Sequence, residues 1–168
     1  MKTHRVKIVG LSLAIAFSHQ ILQAQAGKQA AAPNAQQIER GKYVVMIGGC
    51  NDCHTAGYGE ADAKTPESDR LKGDTLGFRG PWGTSYPTNL RLNLSKMTEA
   101  QWVAYAQKLQ VRPPMPWFNL NKMNEADLRA FYHFVKSLGA AGKPAPDALP
   151  PNAEPKTPFV VFVPQAPK

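Results

Sequence analysis

The chain has 168 residues, of which 43% are hydrophobic and 19% charged, with a formal net charge of +8 and a pI near 9.6. That length suits one folded domain. The 20 lysines and arginines are scattered singly with no basic run, which argues against a nucleic-acid binder despite the charge.

The amino terminus reads as a secretory signal over residues 1–26. Lys2, Arg5 and Lys7 give a positive start, Ile8 to Phe17 a short apolar run, and Ala24-Gln25-Ala26 the small residues of a cleavage site. The apolar run is well short of the roughly 20 residues a membrane span requires. Ser18-His19-Gln20 interrupts it, and no cysteine follows to take a lipid. The expectation is a periplasmic protein, cleaved near Ala26, without a transmembrane anchor. Three basic residues leave with the signal, so the remaining 142 residues hold 17 bases and 12 acids, a net +5. A mildly basic surface suits acidic redox partner proteins, because complementary charge speeds encounter.

Residues 27–33 form a short lead-in ending at Pro33. A helix is expected from Asn34, with Gln37 completing a capping box. Ile38, Gly41 and Val45 share one face of it. A glycine inside a helix costs about 1 kcal/mol relative to alanine, so another helix is expected to approach closely at Gly41. Gly48-Gly49 then ends the helix and delivers the chain to Cys50-Asn51-Asp52-Cys53-His54.

This pentapeptide is C-x-x-C-H, the attachment signature of a c-type haem. It contains both cysteines of the chain. Each thiol can add to one haem vinyl group, and the adjacent His54 is then held beneath the iron as its proximal ligand. Competing chemistries fit less well. Redox C-x-x-C sites sit in a βαβ setting, and no strand pattern precedes Cys50. A structural zinc needs a fourth ligand. The other histidines are His4, His19 and His133, and the first two belong to the leader.

From Thr55 to Met97 regular periodicity fades, and glycine and proline punctuate the chain. So long a loop counts against a compact domain unless a large apolar cofactor replaces the missing core. Within it Trp82, Tyr86, Asn89 and Arg91 are candidates to flank the haem edge and hold a propionate, against a bland reading as ordinary loop packing. A second helix starts at Thr98, with Gln101 closing a capping box and Met97 stapled onto Trp102. Trp102, Tyr105, Ala106 and Leu109 share its face.

Arg112-Pro113-Pro114-Met115-Pro116 follows. Prolines fix an extended backbone, which holds the Met115 thioether at a defined place and makes it the candidate sixth ligand of the iron. The last helix is capped by Asn124 with Asp127, and Met123 is stapled onto Leu128. Leu128, Phe131, Tyr132, Val135 and Leu138 form its apolar stripe, and Gly139 terminates it. Phe131 and Tyr132 are the aromatic side chains best placed to meet Gly41, and His133 falls off the stripe toward solvent. Residues 140–168 form a proline-rich tail, extended or disordered by default. Phe159 to Val163 is its apolar exception, expected to dock as a short strand or to serve a partner.

Taken together, Glu39-Arg40-Gly41-Lys42-Tyr43, the Cys50–His54 motif, Met115 between prolines and the final helix from Asn124 resemble a class I cytochrome c over about residues 34–139. The resemblance implies an all-α fold of about three to four helices with long loops, packed around one covalently bound haem c. It implies a crossing of first and last helices at Gly41 with Phe131 or Tyr132, and axial ligation by His54 and Met115. Gly83-Thr84…Asn89 is similar to a segment of cytochrome subunits of bacterial membrane-bound dehydrogenases, which often carry several haem motifs where this chain has one. Family members often place a proline soon after the motif, whose carbonyl orients the histidine. Thr55 to Lys64 contains none, leaving Pro66 or Pro81 to serve.

The function expected is single-electron carriage rather than catalysis. Two other readings stand beside it. One is a cytochrome subunit of a larger dehydrogenase or oxidase complex, with the tail as docking element. The other is a five-coordinate haem protein that binds small ligands or peroxide, which requires Met115 not to bind.

Overall fold

The computed structural model describes residues 35–163. The expected signal sequence, lead-in and Asn34 cap lie outside them. The chain forms α1 (Ala35–Ile47), α2 (Cys50–His54), a 3₁₀ turn (Glu67–Asp69), β1 (Gly77–Gly80), β2 (Gly83–Ser85), α3 (Leu90–Ser95), α4 (Glu99–Lys108), α5 (Trp117–Lys122), α6 (Glu125–Ser137) and β3 (Phe159–Val161). The fold is mostly helical, compatible with a cytochrome c-like arrangement. Two features exceed the expectation of three to four helices in an all-α fold. The helices α3 and α5 are six residues each, too short to show a helical repeat. The second feature is a sheet of order β2-β1-β3 built from the glycine-rich loop and the tail.

The core centres on α1 against α6. Val44 and Val45 of α1 are buried, with Leu128, Phe131, Phe134 and Val135 of α6. Gly41 sits at the crossing. A Cβ there would lie 2.0 Å from the Ala130 carbonyl oxygen and 2.7 Å from Phe134 Cβ. The expected glycine–aromatic contact with Phe131 or Tyr132 is therefore corrected to Ala130 and Phe134. The face of α6 toward α1 runs through Asp127, Ala130 and Phe134, at helical spacing of three and four. Phe131 turns instead to stack on Trp102 at 4.9 Å, and the Tyr132 hydroxyl donates to the Met97 carbonyl at 2.8 Å. Arg40 clamps the same crossing with two hydrogen bonds to Asp127, of 2.7 and 2.9 Å. The adjacent guanidinium holds the Asp127 carboxyl below its usual range.

Local capping signals hold in α4 and α6. Thr98 and Gln101 form the reciprocal box, and Asn124 accepts from the Asp127 N–H. In α4 the buried residues are Trp102, Val103 and Ala106, whereas Tyr105 is 46% exposed and only edges Trp102. Trp102 Nε1 donates to the Leu128 carbonyl at 2.8 Å, fixing α4 to α6. His133 does not face solvent. Its Nε2 lies 3.3 Å from Glu99 Oε1 with the side chain 12% exposed, because the first turn of α4 packs beside it.

The loop after α2 is held by specific hydrogen bonds. Thr55 Oγ1 donates to Asn51 Oδ1 and accepts from the Leu71 N–H, both at 2.8 Å, and Leu71 is fully buried. The proline-rich tail is laid along this loop. Residues 159–161 pair parallel with 77–79, and Arg79 holds Glu154 through two hydrogen bonds of 2.6 and 2.7 Å. Phe159–Val161 thus docks as a strand, yet each residue from 159 to 163 stays at least 40% exposed.

Candidate haem site

The helix α2 is a single turn, entered through Gly49 at φ +64°. A side chain there would be strained by that backbone conformation and would meet Asp52 Oδ2 at 2.9 Å. This turn brings Cys50 and Cys53 to one side, both part-buried and both free thiols. Burial pushes the Cys50 thiol up to about 11, with the Asp52 charge adding to it. Burial, then Asp52 and Asp74, raises Cys53 as well. A thiol reactive in disulfide exchange is one whose pKa is lowered by electropositive surroundings, and both of these are raised. Among the described residues, no group of three or more His, Cys, Asp and Glu side chains converges as a metal site.

His54 follows directly. Its Nδ1 donates to the Thr88 carbonyl at 2.8 Å, since a carbonyl only accepts. That fixes the tautomer and leaves Nε2 with a free lone pair. Burial lowers the imidazole pKa against the opposing pull of the Thr88 carbonyl, so the ring is neutral at pH 7. The orienting carbonyl, which the sequence leaves unassigned between Pro66 and Pro81, is that of Thr88. The partner is 34 residues away in sequence, on the far side of the loop, and no local signal marks it.

Met115 lies between α4 and α5, half-buried between Pro114 and Pro116. Its carbonyl accepts from the Trp117 N–H at 2.9 Å, starting α5. The loop is fastened to β2 by a 2.8 Å hydrogen bond from Ser85 Oγ to the Pro113 carbonyl. The stretch from Ser85 to Thr88 therefore holds both candidate ligands, the imidazole through Thr88 and the Met115 loop through Ser85.

The four loop candidates divide. Trp82 Nε1 is buried with no hydrogen-bond partner among the described residues, and so is Thr84 Oγ1. Buried unpaired polar atoms are costly, and a carboxylate such as a haem propionate is the kind of acceptor both lack. Thr84 falls within the Gly83-Thr84…Asn89 resemblance but is not among the four loop candidates. The Tyr86 hydroxyl lies 3.4 Å from Thr157 Oγ1 of the tail. Asn89 is a correction. Its Oδ1 caps α3 through the Leu92 N–H, and its Nδ2 donates to the carbonyls of Ala141 and Lys143. The Arg91 guanidinium donates to the carbonyls of Leu138, Gly139 and Ser68, which ties it to the end of α6. Both Nδ2 protons of Asn89 are thus committed to carbonyls, whereas Arg91 keeps two of its five N–H groups for a further acceptor.

Two free thiols one turn apart, a neutral imidazole with a bare Nε2, and two orphaned polar atoms fit a covalently held haem. Comparison with known proteins agrees at a coarser level. The chain is distantly related, over about two thirds of its length, to subunits of dehydrogenases. It is 30% identical over 124 residues to the cytochrome c subunit of a quinone-type alcohol dehydrogenase of Gluconobacter oxydans, a match covering 66% of this chain and 24% of that one. It is 28% identical over 124 residues to one of the subunits of nicotinate dehydrogenase of Pseudomonas putida, covering 67% of this chain and 10% of that one. The chain thus spans about a quarter and a tenth of the length of these relatives. No family model matches it, and no solved structure does.

Proposed function

We propose that this protein is a monohaem electron carrier of the periplasm, with haem tethered through Cys50 and Cys53 and its iron held between His54 and Met115. The observation that carries the reading is the 2.8 Å bond from His54 Nδ1 to the Thr88 carbonyl, directly after two free thiols one helical turn apart. When bound, haem supplies a one-electron couple. The two sulfurs fix it to α2, His54 presents Nε2, and Met115 presents a thioether that does not titrate. A residue on each side of the iron leaves no position for oxygen or peroxide, which favours carriage over catalysis. Trp82 and Thr84 are proposed to hold a propionate, with Tyr86 beside them. Export is supported by the signal pattern of residues 1–26.

A second reading, as one component of a dehydrogenase complex, is favoured by Phe159 to Val163. β3 is the outer strand of its sheet, and Phe159 to Val163 are five consecutive apolar residues each 40–56% exposed, a surface that proteins ordinarily cover. The names of the two relatives point the same way.

Potentiometric titration of the protein purified from its own host tests both. One reversible one-electron step per chain is expected, without turnover of peroxide. High-spin ferric iron that consumes peroxide would contradict the carrier reading. A stoichiometric partner in the same preparation favours the complex-bound form, and a monomer excludes it.

A further inference from the structure

The tail reaches the loop that holds Met115. The Leu149 carbonyl accepts from the Thr84 N–H at 3.0 Å and from Arg112 Nη1 at 2.9 Å, and the Leu149 N–H returns a 2.9 Å bond to the Thr84 carbonyl. One residue of the tail therefore ties β2 to the Met115 loop. Gly83 makes the approach possible. It has φ +99°, and a Cβ there would lie 2.1 Å from the Leu149 oxygen. The second tie is the Ser85 Oγ bond to Pro113. At its start the loop is also held by Asn121 Nδ2, which donates to the Leu109 carbonyl at 3.2 Å, while every residue from 110 to 113 is exposed. Segments with few buried contacts open most readily, so the hydrogen bonds at Pro113 and Arg112, two and three residues from Met115, have a large share in keeping the loop in place.

We propose that Arg112 and Ser85, with Leu149 of the tail, are positioning residues for Met115: they hold its loop against β2 and set how readily its sulfur is displaced by another ligand. This rests on the ligation by His54 and Met115 proposed above.

The test is imidazole binding to the ferric holoprotein, because added imidazole competes with Met115 for its coordination position. Arg112→Ala and Ser85→Ala are each expected to raise imidazole affinity by about three- to tenfold, the weight of one hydrogen bond, and to weaken the far-red sulfur-to-iron absorption. Arg112→Lys should fall between Arg112→Ala and the parent. Arg129→Ala removes an ion pair with Glu99 that joins α6 to α4 and one with Glu125 within α6, neither of them in this loop, and should leave the affinity unchanged. Unchanged affinity in both Arg112→Ala and Ser85→Ala would overturn the proposal, as would an equal rise in Arg129→Ala. If Arg112→Ala fails to fold, Ser85→Ala alone decides. A parent that lacks the far-red absorption and binds imidazole as tightly as Met115→Ala would instead sink the ligation itself.

Discussion

Gly41→Ala is expected to lower folding stability by about 1–2 kcal/mol net, in spite of alanine being the better helix former. Propensity alone favours the substitution by about 1 kcal/mol. The opposing effect is larger. The new methyl would lie 2.0 Å from the Ala130 oxygen and 2.6 Å from its carbonyl carbon, which are main-chain atoms of α6 and cannot rotate away. Relief requires α1 and α6 to separate, and forced overpacking of this kind costs typically about 1–3 kcal/mol and occasionally more. Separation also strains the Arg40–Asp127 clamp on the same face. Urea denaturation of the holoprotein measures it, as a lower midpoint at unchanged slope. An unchanged or raised midpoint would show that the helices do not meet at Gly41.

Met115→Ala carries the largest expected effect on the proposed function. The fold should survive, because Met115 is only half-buried and lies in a loop outside the helical core. The far-red absorption should vanish and the ferric protein should bind added ligands. The reduction potential should fall by roughly 0.1–0.3 V, a fraction of the about 0.8 V over which axial ligands set it. Methionine beside histidine raises the potential, which fixes the sign. A variant with the parent's spectrum and potential would remove Met115 from the iron.

What sequence makes legible here is what is local. The Thr98–Gln101 box, the Asn124 cap, the run from Leu128 to Val135 and the C-x-x-C-H spacing each act within a few residues, so their patterns survive translation into structure. Gly41 is legible as a point of close approach, but its partner is not, because choosing between Phe131 and Phe134 requires the rotation of α6 about its axis. The Thr88 carbonyl is not legible at all: main-chain atoms have no residue signature, and the contact closes a 34-residue loop. Asn89 and Arg91 show the converse. Their chemistry marks them as hydrogen-bonding residues near the site, and the structure directs that capacity to helix-end and tail carbonyls. The sheet is hidden because strands of three and four residues are too short to display alternation. One of them, β3, also comes from the distant tail, where Phe159 pairs with Gly77.

If α2 holds a haem by two thioether bonds, the bonds must outlast the fold. Intact-mass analysis under denaturing conditions, on protein matured in a host able to attach haem, tests this most directly. The expected result is a chain heavier by one haem, stained for haem on a denaturing gel, with neither Cys50 nor Cys53 open to thiol alkylation. A colourless, compactly folded chain of unmodified mass whose two thiols both alkylate on denaturation would contradict it.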